Sequence, residues 1–90
     1  MNSNKFRIEL DPRTSRELKK LFYKNPSIKP LLIKAIDSLV LLPFQGKALK
    51  GDKSGCYSLR KGDYRIIYEI YPYQKVILVI RVGHRRDVYK

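Results

Sequence analysis

The sequence predicts an α+β domain in the order β-α-α-β-β-β, with a helical hairpin packed on one face of a small, mainly antiparallel sheet. Three observations carry this prediction. Apolar residues recur at helical spacing in two segments between residues 12 and 41. Three strand-length runs rich in β-branched and aromatic residues follow from residue 56, separated by short turns. The last of these, KVILVIRV at 75–82, is bounded by turn residues and fits a buried central strand. Helices followed by a meander give α+β, with one sheet face on the helix pair and the other open.

The elements follow in order. Residues 5–10, KFRIEL, alternate: Phe6, Ile8 and Leu10 are expected to face the core, and Lys5, Arg7 and Glu9 to face out. Asp11-Pro12 pairs an N-cap residue with a proline suited to the first helical position. Leu18, Leu21 and Phe22 supply that helix's apolar stripe, and its end is expected near Tyr23 or Lys24. A second helix is expected from about Ser27 to Leu41, with Leu32, Ala35, Ile36, Leu39 and Val40 as its apolar stripe. Pro30 fits only in its first turn and Pro43 closes it. Residues 43–55, PFQGKALKGDKSG, read as a basic loop carrying Lys47, Lys50 and Lys53, long enough to be functional or mobile. Strands are then expected at 56–60, 64–71 and 75–82, joined as antiparallel hairpins.

Ninety residues make a single domain spanning 1–90, with one modest core. No apolar run reaches membrane-spanning length, and MNSNKFRIEL lacks the apolar region of a signal peptide. A single cysteine, Cys56, forms no internal disulfide, which fits a reducing, cytoplasmic setting. No Cys/His cluster has metal-ligand spacing, so no metal cofactor is expected. The charge is the informative quantity: 20 Lys plus Arg against 8 Asp plus Glu give a net +12 and point to a polyanionic partner, nucleic acid or an acidic protein segment.

Period 2 then distributes the polar groups. Tyr57 and Leu59 oppose Ser58 and Arg60; Tyr64, Ile66, Tyr68 and Ile70 oppose Arg65, Ile67 and Glu69; Val76, Leu78, Ile80 and Val82 oppose Ile77, Val79 and Arg81. Arg60, Arg65 and Arg81 are thereby expected on the face the helices leave open. His84, Arg85, Arg86 and Tyr89, in GHRRDVY after the last strand, are expected at its end. Arginine offers a planar fork for phosphate oxygens, tyrosine a stacking surface and a hydroxyl, and histidine a proton that moves near neutrality. Metal-free RNA cleavage needs these groups, because charge develops on the phosphate and protons must move at the 2′- and 5′-oxygens. Tyr57, Tyr64 and Tyr68 also read as core residues, Cys56 as a small buried one, and Glu69 as a cross-strand partner for an arginine.

The stretch LKGDKSGCYSLRKGDYRIIYEI, followed by VILVIRVGHRRDVYK, resembles the RelE branch of the RelE/ParE toxin superfamily of type II toxin–antitoxin pairs. The resemblance implies a metal-independent endoribonuclease that cuts messenger RNA on the ribosome. It also implies an acidic antitoxin partner in a hetero-oligomer. It assigns Arg60, Arg65 and Arg85 to the scissile phosphate and Tyr89 to orienting a nucleotide, with His84 a candidate for proton transfer. Lys47, Lys50, Lys53, Arg81 and Arg86 would contact RNA. Ser58 stands where a well-known branch carries a lysine. Two alternatives stay open: a ParE-like inhibitor of DNA gyrase on the same fold, and a catalytically inactive antitoxin-binding protein.

Overall fold

A computed structural model describes residues 5–84 and residue 86. The chain runs β1 (Arg7–Leu10), α1 (Pro12–Lys24), a 3-10 turn (Pro26–Ile28), α2 (Lys29–Ser38), β2 (Lys47–Ala48), a second 3-10 turn (Gly51–Lys53), β3 (Cys56–Lys61), β4 (Tyr64–Tyr71) and β5 (Val76–His84). The five strands form one sheet in the order β1-β5-β4-β3-β2, with β1 parallel to β5 and every other pair antiparallel.

Local chemistry sets the helix ends. The Asp11 carboxylate accepts the Arg13 N–H at 2.9 Å, capping α1 directly before Pro12. The helix closes where the Asn25 N–H reaches the Leu21 carbonyl at 2.9 Å, and Pro26 cannot extend it. The second helix is shorter than expected. Its expected first residues, Ser27 and Ile28, belong to the 3-10 turn Pro26–Ile28, and α2 stops at Ser38 rather than Leu41. There the Ser38 hydroxyl donates back to the Ala35 carbonyl at 2.6 Å. The N–H groups of Leu39 and Val40 fall on the i−3 carbonyls of Ile36 and Asp37, so the last turn tightens and ends.

Both helices cover the same sheet face. Leu18 of α1 and Leu32, Ala35 and Ile36 of α2, with Leu39 just beyond, pack with Ile66 and Tyr68 of β4 and Ile77, Val79 and Val82 of β5. Of the expected stripe of α2, Leu32, Ala35, Ile36 and Leu39 are buried, while Val40 is half-buried and lies outside the cluster. Leu10 departs from expectation and is 40% exposed, since β1 ends there at the sheet margin. The opposite face carries a smaller cluster, Cys56 and Ile67 with Leu49 and Ile80, and among the described residues no helical one enters it.

Two features of the sheet differ from strict expectation. The basic loop contributes β2, whose Lys47 and Ala48 pair with Ser58 and Tyr57. A β-bulge interrupts the β4–β5 ladder: Tyr68 pairs with Val79 and Ile67 with Arg81, leaving Ile80 as the extra residue. Alternation therefore breaks at Ile80, and Val82 joins Ile77 and Val79 in the helix-side core rather than opposing them.

Tyr68 ties the loop after α2 to the sheet. It is fully buried; its hydroxyl donates to the Pro43 carbonyl at 2.9 Å and accepts the Gly46 N–H at 3.0 Å. Burial pushes its ionisation upward, so the hydroxyl stays a donor. Gly46 has no room for a side chain, because a β-carbon there would lie 2.5 Å from the Tyr68 oxygen. Tyr68→Phe leaves a buried carbonyl and an N–H without that partner. Urea unfolding of this variant is expected to show a loss of about 1 to 3 kcal/mol; unchanged stability would refute the tie.

Candidate functional site

The site is built on the ends of β3, β4 and β5. The connection Gly62-Asp63 joins β3 to β4 with Gly62 at φ +59°, a conformation a two-residue hairpin requires. The tight turn fixes Arg60 directly opposite Arg65. Both lie on the face away from the helices, as expected, since their neighbours Leu59 and Ile66 pack against the helix-side core. The Arg60 guanidinium is exposed and its Nε donates to the Gly62 carbonyl at 3.3 Å. Arg65 is partly buried, and one of its terminal nitrogens lies 3.5 Å from the Ser58 hydroxyl. Like charges placed directly across a ladder repel. Two permanent cations held side by side in this way prepare a place for an anion with several oxygens, such as a phosphate.

Lys47 joins this face. As the register partner of Ser58 it stands on β2 beside the row that carries Arg65. Sequence reasoning placed it in a loop, because nothing in a two-residue strand announces itself in composition. Lys50 caps the second 3-10 turn and Lys53 ends it, and both are exposed.

Two expected members fall elsewhere. Arg81 does not stand with Arg60 and Arg65; its Nε lies 3.5 Å from the Glu17 carboxylate of α1. Its register partner is Ile67 of the open-face cluster, but its guanidinium is drawn to Glu17 of α1. His84 is the register partner of Tyr64, with ring centroids 5.8 Å apart in an edge-to-face contact. Tyr64 packs against the helix-side core, so His84 faces α1, while one register step away Arg65 meets Gly83 on the opposite side. The His84 Nδ1 accepts the Arg86 N–H at 3.3 Å, which leaves the proton of the neutral ring on Nε2. Arg86 itself is exposed. Arg85 and Tyr89 lie outside the described residues.

The remaining polar groups have quieter roles. Glu69 accepts the Tyr71 hydroxyl at 2.8 Å, and that carboxylate raises the Tyr71 ionisation. The Cys56 thiol is pushed up first by burial and then by Glu69, so it remains a protonated, small apolar residue. Among the described residues no three His, Cys, Asp or Glu side chains gather as a metal site, and no helix is long and apolar enough to cross a membrane.

The Arg60–Arg65 pairing is testable by stability alone. Arg60→Thr is expected to melt no lower than wild type at low ionic strength, with any gain shrinking as salt screens the repulsion. A loss beyond about 4 °C at low salt would contradict a strained like-charge pair.

Comparison with known proteins gives the family. Residues 8–89 match the family described as the ParE toxin of type II toxin-antitoxin system, parDE. Toxin RelG of Mycobacterium tuberculosis is 38% identical over 45 residues, a match covering 50% of this chain and 52% of that protein, so the chain aligns with about half of this relative. The RelBE2 toxin-antitoxin complex of M. tuberculosis superimposes with a TM-score of 0.80 at 29% identity, covering 90% of this chain and 99% of that one. The intact RelBE toxin-antitoxin complex of E. coli gives 0.70 at 26% identity, covering 89% and 95% respectively. Sequence and fold agree: the chain belongs to the ParE toxin family of type II toxin–antitoxin systems, within the RelE/ParE superfamily.

Proposed function

We propose that this chain is a toxin that cuts messenger RNA on the ribosome. The observation that carries the reading is the Arg60–Arg65 pair, opposed across the β3–β4 ladder on the face no helix covers. In the reaction the 2′-hydroxyl loses its proton and its oxygen bonds to the adjacent phosphorus. The bond from phosphorus to the 5′-oxygen breaks, and that oxygen takes up a proton. Negative charge builds on the phosphate as this happens, and preorganised cations there lower the barrier; one such group is worth about 10²–10³ in rate. Arg60 and Arg65 fill that role, with Lys47 beside them and Arg85 as a third arginine on the segment after β5. Tyr89 orients a nucleotide. Lys50, Lys53 and Arg86 add contacts to the RNA backbone. The ribosome supplies the positioning of the message, so naked RNA is a poor substrate.

The partner is an acidic antitoxin segment. An excess of +12 favours it, and relatives with this fold form toxin-antitoxin complexes. Covering the arginines would block RNA.

Expression of the protein is expected to arrest translation and leave cuts within translated messages. Intact messages together with blocked DNA supercoiling would instead favour the gyrase-directed activity of ParE-type toxins.

His84 faces α1 rather than Arg65, which favours an anion-holding role over proton transfer. His84→Lys is accordingly expected to keep most single-turnover cleavage with an unchanged pH profile. Loss of cleavage in His84→Lys, with the neutral-pH dependence flattened, would make His84 the acid or base.

A further inference from the structure

We infer that the groove between α1 and the end of β5 is a second RNA-backbone contact, which takes phosphodiester groups outside the bond that is cut. This rests on the reading of the chain as an RNA-directed toxin and carries the RNA path around the sheet end to the helix side. The groove is a depression of about 250 Å³ walled by Lys20 and Lys24 of α1 and by Arg81 and His84 of β5, with Tyr64 beneath the histidine. Glu17 is the acid in its wall, and it is already answered by Arg81 at 3.5 Å and Arg13 at 3.8 Å. Lys20 and Lys24 are exposed, and among the described residues neither makes an ion pair.

The helix itself supplies a second observation. Arg16, Lys20 and Lys24 follow one another at i, i+4 and i+8 along α1, about 6 Å per step. Like charges at this spacing destabilise a helix, so the row works against the stability of α1. A regular row of cations beside a cationic groove matches a polymer with one negative charge per repeat better than it matches a single ion. Continuity supports the same path. Arg65 and His84 stand on adjacent register rows at one end of the sheet, on opposite faces. A strand whose scissile phosphate lies at Arg60 and Arg65 meets Lys20 and Lys24 by turning around that end.

The test is binding of the purified protein to a short single-stranded RNA as salt is varied, for wild type, Lys20→Gln/Lys24→Gln, and Lys34→Gln on α2 as a control cation outside the groove. All three positions are exposed, and circular dichroism checks that the variants fold. The double variant is expected to bind several-fold more weakly at low salt. Its slope of log affinity against log salt should flatten by about 0.7 for each phosphate that is no longer neutralised, while Lys34→Gln tracks wild type. A double variant indistinguishable from Lys34→Gln overturns the groove, as does a wild type without salt-dependent RNA binding. Unchanged RNA binding with weakened capture of the acidic antitoxin also overturns it, and gives the groove to the protein partner. Ribosome-dependent cleavage, measured in parallel on wild type, reports on the proposed function separately.

Discussion

The β4–β5 ladder and its single bulge are the constraint on which the rest depends. Before Ile80, β5 sends Ile77 and Val79 into the helix-side core; without the extra residue, Val82 would point away from that core and Arg81 towards it. The bulge keeps Val82 buried opposite Ile66 and leaves Arg81 to meet Glu17. The same shift delivers His84 to Tyr64 and brings Gly83, which has no side chain, across from Arg65. A one-residue irregularity in the ladder thus decides which cations share a face.

Electrostatics then works against the bare fold. Arg60 opposes Arg65, and Arg16, Lys20 and Lys24 follow one another on α1. Like charges so placed repel at some cost, and a bound anion lowers that repulsion. The apolar core carries this cost: helix residues Leu18, Leu32 and Ile36 close on β4 and β5, and Tyr68 fastens the loop after α2 to the sheet. Scaffold and charge are therefore separable. The core lies on one side of the sheet, and the Arg60–Arg65 face on the other.

Much of this was legible in the sequence where signals are local. Asp11-Pro12 announces the start of α1 because capping needs only adjacent residues. CYSLR and YRIIYEI alternate cleanly, and they put Arg60 and Arg65 on the open face correctly. The last strand was harder. Residues 76–80, VILVI, are apolar on both faces, so no polar residue marks where the alternation slips, and the contact of Arg81 with Glu17 could not be read. The end of α2 depended on a back-bond from Ser38, and β2 on pairing with a strand further along the chain; neither leaves a trace in periodicity. The second apolar cluster, around Cys56 and Ile67, depends on Leu49 folding over the sheet.

The central claim is that Arg60 and Arg65 act together on one phosphate. A double-mutant cycle in single-turnover cleavage of a ribosome-bound message tests it most directly. If the two arginines form one anion site, Arg60→Ala and Arg65→Ala each lower the rate by about 10²–10³. The double variant then falls little further, because groups that act as a unit are strongly non-additive. Losses that simply multiply, or a double variant that cuts at the wild-type rate, would contradict the account.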